Sequence, residues 1–201
     1  MILTIAQYKG GVGKTTTAFH FAAYFQMQAP TLLLDSDPNR NAIEWAQRGG
    51  ENIPFKVAPM THGSKLAGQY THIINDTKAR EDTSDIVEIA EGCDLLVLPT
   101  EPGPMEYQTL LEMIEKLRES KVDPSHYRVL ITKVPPLPAR DGQMLYDALA
   151  GDDIPVFNNF IRYFKVFKKA AASGVPVYAV KDPKSSEAWN DYANACQEVQ
   201  P

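Results

Sequence analysis

Positions 9 to 15 read Lys9-Gly10-Gly11-Val12-Gly13-Lys14-Thr15, three glycines and two lysines just ahead of a helical pattern. Glycines let a backbone curl tightly enough for successive N–H groups to converge on phosphate oxygens. A helix opening at this point adds its own unpaired N–H groups and the positive end of its dipole. The spacing puts Lys14 within reach of β- and γ-phosphates and the Thr15 hydroxyl on Mg²⁺, with Thr16 continuing the cradle. At an average glycine usage of about 7%, such a string arises by chance in well under ~1 in 1,000 chains, which weighs against a plain glycine turn. The segment predicts nucleotide binding.

The ordinary loop, G-x-x-x-x-G-K-[ST], would have its first glycine at position 8. This chain has Tyr8 there, and an extra lysine, Lys9, precedes two glycines. The arrangement resembles the deviant Walker A box of the ParA/MinD family of ATPases. The resemblance implies ATP and Mg²⁺ as cofactors and an ATP-dependent homodimer. In that dimer Lys9 would reach the phosphates bound to the other subunit, whereas a solvated Lys9 is the plainer alternative. A second cation near the transferring phosphate is physically sensible, because charge must be stabilised there.

Leu34-Asp35-Ser36-Asp37-Pro38-Asn39 is similar to the family's D-x-D-P-Q segment, with Asn39 in place of glutamine. By that match Asp37 orients or activates the attacking water and Asp35 supports the Mg²⁺ shell. The residues alone also fit an Asp-capped turn leading into a helix at Ala42. The segment Thr71-His72-Ile73-Ile74-Asn75-Asp76-Thr77-Lys78-Ala79-Arg80 resembles the third family motif, an apolar strand ending in D-T-P. Asp76 would then hold Mg²⁺ through water. Asn75 stands where a hydrophobic residue is usual, serving either the site or a strand end, and Lys78 takes the proline position. Thr132 and Lys133, following an apolar run, are the candidates for part of the adenine pocket.

Residues 160–169 carry Arg162, Lys165, Lys168 and Lys169 and no acid. On a helix at ~100° per residue, Arg162, Lys165 and Lys169 share a face with Lys168 beside it, opposite Phe160, Phe164, Phe167 and Ala171. A solvated face is the usual fate of such a run. The resemblance instead implies binding of double-stranded DNA without sequence preference by the ATP-bound dimer. Four phosphate contacts per subunit would give a log–log salt slope near about −7.

These groups need a scaffold. Apolar runs rich in branched residues occur at 2–6, 31–34, 55–58, 72–74, 95–98, 128–132 and 176–180. Their near-continuous hydrophobicity suits parallel strands buried on both faces. Helical periods fall between them, at 15–26, 42–48, 84–91, 107–120, 142–150, 160–172 and 187–199. In 107–120 the stripe is Leu110, Leu111, Ile114 and Leu117. The alternation predicts an α/β fold: a mostly parallel twisted sheet flanked by helices on both faces, of the P-loop NTPase, deviant Walker A type. One domain over 1–201 is expected.

The 201 residues carry 25 acidic and 20 basic groups, and the net charge of −5 alone speaks against nucleic acid. That average conceals the basic run at 162–169 and the acids Asp35, Asp37 and Asp76. Cys93 and Cys196 form no C-x-x-C, His20, His62, His72 and His126 lack metal-ligand spacing, and His20 reads as a packing residue. No signal peptide and no apolar run of ~20 residues is evident, and two cysteines make no disulfide framework, so a cytoplasmic protein is expected, and the resemblance implies a bacterial one associated with the nucleoid. With the core expected to occupy all of 1–201, no N-terminal helix-turn-helix domain of the larger ParA proteins is expected.

The leading expectation is a small partition ATPase. It would position a plasmid or chromosome, with a ParB-like adaptor protein stimulating its slow hydrolysis. The alternative is a ParA-like ATPase positioning a protein assembly such as a microcompartment or receptor array. A MinD-like membrane-cycling ATPase fits less well, because 187–199 contains Glu187, Asp191 and Glu198 and no lysine or arginine. No membrane partner is expected.

Overall fold

Six strands pair in parallel: β1 (Ile2–Ile5), β2 (Thr31–Asp35), β3 (Lys56–Pro59), β4 (His72–Asp76), β5 (Leu95–Thr100) and β6 (Tyr127–Ile131), in the spatial order β3-β2-β4-β1-β5-β6. The computed structural model describes residues 1–78 and 85–199. Ala79 and Arg80 of the third motif, and the Ser84 start of the helix expected at 84–91, lie outside the described residues.

The helices are α1 (Lys14–Gln26), α2 (Asn41–Gly49), α3 (Gly63–Leu66), α4 (Asp85–Glu91), α5 (Pro104–Glu119), α6 (Asp141–Gly151), α7 (Val166–Ser173) and α8 (Ser185–Gln197). Side chains alternate across each strand. Leu3 and Ile5 therefore join the core under α1, α2, α7 and α8, while Ala6 joins the opposite core under α4, α5 and α6. Coverage on both sides explains the unbroken hydrophobicity of β2 and β5, every residue of which is buried. Helix α1 is enclosed almost all round, with Phe19, Phe21, Ala22 and Phe25 inaccessible, so it shows little amphipathic contrast. In α5 the buried stripe is Leu110, Met113, Ile114 and Leu117, with Leu111 only half-buried.

Two expected elements differ. Of the helix expected at 160–172, only α7 forms. The preceding residues run extended along β6: Ile161 N–H donates to the Ile131 carbonyl at 2.9 Å, and Val134 N–H to the Ile161 carbonyl at 3.0 Å. The open edge of β6 would otherwise leave backbone groups unpaired, and this demand overrides a helical spacing of aromatics. The strand expected at 176–180 is a single 3-10 turn, Val177–Ala179. Of its residues only Val177 is buried, by packing and not by strand pairing, while Tyr178 and Ala179 are exposed.

Strand β1 lies between β4 and β5, and the chain leaves it through α1 toward β2, on the β4 side. The crevice at the carboxyl end of β1 is thus a topological switch point, where ligands bind in open α/β sheets.

Candidate nucleotide-binding site

The glycine-rich loop occupies that crevice. Gly11 and Gly13 have φ of 86° and 96°, a left-handed conformation that glycine adopts without strain. Gly13 immediately precedes α1, so the helix N-terminus opens directly into the loop. From the end of β6, the Thr132 hydroxyl donates to the Val12 carbonyl at 2.8 Å and pins the loop to the sheet. Lys14 is 7% exposed, with Nζ donating to the Lys9 carbonyl at 3.3 Å. Beside the loop lies a cleft of about 480 Å³, walled by Gly10, Gly11, Gly13, Lys14, Thr15 and Thr16 on one side and by Asp37, Asn39, Asn41, Trp45 and Arg48 on the other.

Three carboxylates border this region, each in a different state. Asp35, at the end of β2, accepts the Asp37 N–H on one oxygen and the Ile43 N–H on the other, both at 3.0 Å. One lone pair of each oxygen thereby closes the loop and holds the start of α2, so Asp35 anchors both. Asp37 accepts from the Asn39 N–H at 2.8 Å, and its carboxylate lines the cleft. Asp76 sits beside Asp35 in the β2–β4 register and is fully buried, with no hydrogen-bond partner on either oxygen among the described residues. Burial pushes its carboxyl up to about 7. Thr15 and Lys14 oppose the rise, and Asp35 and Asp37 add to it.

A buried, unpartnered carboxylate next to Thr15 calls for a cation. Mg²⁺ needs few protein ligands when phosphate oxygens and waters complete its shell. That agrees with the lack of any cluster of three or more His, Cys, Asp or Glu suited to a metal among the described residues. The residues present fit Mg²⁺ held jointly with a bound phosphate.

A second cavity of about 190 Å³ shares Gly13 and Thr16 with the first. Its walls include Thr132, Ile161, Tyr163, Phe164 and Phe167, with Lys133, Arg162 and Lys168 at its border. Aromatic and aliphatic walls beside the loop suit a flat heteroaromatic base. Thr132 and Lys133, the two residues singled out in the sequence, are among those lining this cavity.

The basic segment is arranged otherwise than expected. Arg162 is not on a helix face. Its guanidinium meets the Asp191 carboxylate through Nε at 3.0 Å and Nη2 at 2.7 Å, approaches Glu187, and lies 5.0 Å from the Phe164 ring centroid. Lys169 pairs with Asp182 at 2.5 Å. Lys165 and Lys168 are exposed. The four cations therefore do not form one basic stripe, because two of them clasp the C-terminal part of the chain.

Asn75 donates to the Thr4 hydroxyl at 3.0 Å across β4 and β1, and it does not line the phosphate cleft. Two further features carry no short-range signal in the sequence. One is an ion pair between Lys9 and Glu106 at the start of α5. The other is His20, whose Nδ1 donates to the Thr16 carbonyl at 2.7 Å while Nε2 accepts the Val177 N–H at 3.1 Å. It ties the start of α1 to the 3-10 turn after α7. Burial lowers its pKa to about 4 against the Thr16 hydrogen bond, so the ring is neutral.

Residues 3–177 match the family model of the CobQ/CobB/MinD/ParA nucleotide binding domain. The chain belongs to this family. The Maintenance of carboxysome distribution protein A of Gloeobacter kilaueensis is 32% identical over 205 residues, covering 98% of this chain and 93% of that protein. The Chromosome-partitioning ATPase Soj of Thermus thermophilus is 33% identical over 115 residues, 50% of this chain and 46% of Soj. The AMPPNP-bound putative plasmid partition protein of Borrelia burgdorferi has the same fold, with a TM-score of 0.75 at 15% identity and 99% of each chain covered. This ParA/MinD-type protein is an ATPase, and solved structures of the same fold hold AMPPNP in one case and Mg-ADP in another. None of the helices among the described residues is long and apolar enough to cross a membrane.

Proposed function

We propose that this ATPase positions a large protein assembly of the microcompartment kind, cycling between an ATP-bound homodimer and free protomers. The observation that carries the reading is the end-to-end likeness to a relative named for carboxysome distribution, against a half-length match to a chromosome-partitioning ATPase. Plasmid or chromosome partition, the leading expectation from the loop and its neighbours, thus becomes the second reading.

Within the cycle, Lys14 exchanges the Lys9 carbonyl for the β- and γ-phosphates, and the loop N–H groups of 10–16 hold the remaining oxygens. Thr15 and Asp76 hold Mg²⁺, which neutralises phosphate charge when bound, with Asp35 anchoring the loop behind them. Asp37 orients the attacking water from the cleft wall. Lys9 adds its charge to the nucleotide of the partner subunit. Thr132 and Lys133 border the adenine. A single domain over 1–201 carries all of these groups, and an adaptor protein on the cargo stimulates turnover.

Nucleoid DNA is the proposed track, in a bacterial cytoplasm. With Arg162 and Lys169 engaged internally, Lys165 and Lys168 are the available cations, about four per dimer. The expected salt slope is then about −4 instead of about −7. A membrane track is not favoured. Asp191 and Glu187 of α8 hold Arg162, and the following Glu198 accepts from the N–H groups of Asn158 and Asn159 at 2.9 Å, so α8 is fastened to the body by its acidic residues.

Deleting the gene and imaging both the host's protein shells and its replicons tests the proposal. Shells that clump while replicons segregate normally support it. Replicon loss with shells evenly spaced refutes it in favour of partition.

A further inference from the structure

The lysine assigned to the partner subunit's nucleotide is already engaged within its own chain. Lys9 Nζ is ion-paired with the Glu106 carboxylate in the first turn of α5, 97 positions away. The acid is the more enclosed partner, its side chain 16% exposed against 34% for Lys9.

The seat for Glu106 is specific. A Cβ at position 103 would lie 2.2 Å from Glu106 Oε2, so the carboxylate folds back into space that exists because residue 103 is glycine. Gly103 has φ of 178°, ordinary extended backbone, so its glycine is required for clearance and not for conformation. The site at the α5 N-terminus favours a carboxylate. The hydrogen bond from Lys9, followed by one from its own backbone N–H, holds Glu106 below the usual carboxylate range. Five residues earlier, Glu101 approaches Lys133 at 3.4 Å. The 101–106 segment thus sets two carboxylates against lysines bordering the phosphate loop and the second cavity. The backbone of residue 9 is held as well, since its carbonyl accepts from Lys14 Nζ.

We propose that Glu106 is a positioning residue that restrains Lys9 within the free protomer, so that forming the ATP dimer requires displacing it. This rests on the reading that Lys9 acts across the dimer. Nucleotide phosphates draw Lys14 away from the Lys9 carbonyl and loosen residue 9. The phosphates of the facing subunit then replace Glu106 as the counter-charge of Lys9. The restraint keeps protomers apart until both nucleotides are in place, which sharpens the dependence of assembly on ATP.

The test uses the full chain as wild type, Glu106→Gln and Gly103→Ala. The second variant displaces the carboxylate without altering it, and thermal unfolding checks that both variants fold. Sedimentation velocity with ATP measures the protein concentration at half-dimer, and acylation followed by peptide mass spectrometry measures Lys9 reactivity in the nucleotide-free protomer. Two ion pairs break per dimer, each worth about threefold, so both variants should reach half-dimer at roughly tenfold lower concentration. Lys9 should acylate about threefold faster in both, with Lys165 unchanged. A wild type that dimerises with ATP, alongside variants needing the same or higher concentration, overturns the proposal and leaves the dimer reading intact. A wild type that stays monomeric with ATP overturns the dimer reading itself. Unchanged Lys9 acylation in both variants then overturns the restraint too, whereas faster acylation upholds it within the protomer.

Discussion

Replacing Asp76 by Asn removes a carboxyl that the fold holds against its preference for water. In the unfolded chain this group titrates at 3.8, and in the nucleotide-free fold at about 7. The raised value means that the fold prefers the protonated form. Below pH ~4 both states carry the proton and the site costs nothing. Between ~4 and ~7 the unfolded chain gives up its proton first, so stability falls as pH rises; above ~7 the full cost is present. Three units at about 1.4 kcal/mol each set that cost at about 4 kcal/mol at pH 8, and the part reached by pH 5 is about 1 to 2 kcal/mol. An amide there carries no charge to desolvate. Asp76→Asn should therefore be more stable than wild type at pH 8 without Mg²⁺ or nucleotide, by up to about 4 kcal/mol, and nearly equal at pH 4. Urea unfolding with EDTA at the three pH values measures this. Adding Mg²⁺ and ATP should reverse the order, because wild type gains binding energy through a carboxylate that the variant lacks. Equal stabilities at pH 8 would refute the reasoning on burial, and equal stabilisation by Mg·ATP would refute the metal role.

Lys14→Ala should abolish ATP binding, read by titration of a fluorescent ATP analogue. Asp37→Ala should bind ATP and form a long-lived dimer while turnover drops at least about 100-fold, in the range of losing a catalytic proton acceptor; a monomer with ATP in size-exclusion chromatography would remove Asp37 from that role. His20 shifts stability the other way from Asp76. Its folded pKa is depressed from 6.5 to about 4, so wild type should lose up to about 3 kcal/mol as pH falls through that window. His20→Gln should flatten this dependence in urea melts. Arg162→Ala should cost about 2 kcal/mol of stability by stranding the nearly buried Asp191, less than a fully buried pair because Arg162 is half open to solvent. By contrast Lys168→Ala should leave the melt unchanged and lower the DNA salt slope by about 2 per dimer.

What was legible in the chain follows the range over which each cause acts. The glycines of 10–13 declare themselves, because left-handed φ at Gly11 and Gly13 is a local demand that few other residues meet. Doubly buried strands such as β2 and β5 are equally local, since burial on both faces is written in consecutive residues. The 160–169 segment misleads because Phe160, Phe164 and Phe167 recur at four and three, a helical spacing, while the edge of β6 requires an extended partner at the same place. That requirement is set by the sheet, far from the segment in sequence.

Charges are the least legible of all, because a charged side chain takes its role from whatever the fold places beside it. Arg162 reads as part of a DNA-facing stripe until Asp191, 29 residues on, claims it. Nothing short-range in the sequence sets Glu106 apart until the fold places Lys9 against it. Asp76 shows the converse. Nothing in the described residues claims either of its oxygens, and the unmet demand of a buried carboxylate is itself the signal that a ligand supplies the missing charge. The same criterion sets Asp76 apart from the other two acids at the loop: Asp35 and Asp37 each accept hydrogen bonds on both oxygens, and of these two Asp37 lines the cleft. A residue's function is thus read most directly from what the fold leaves undone around it.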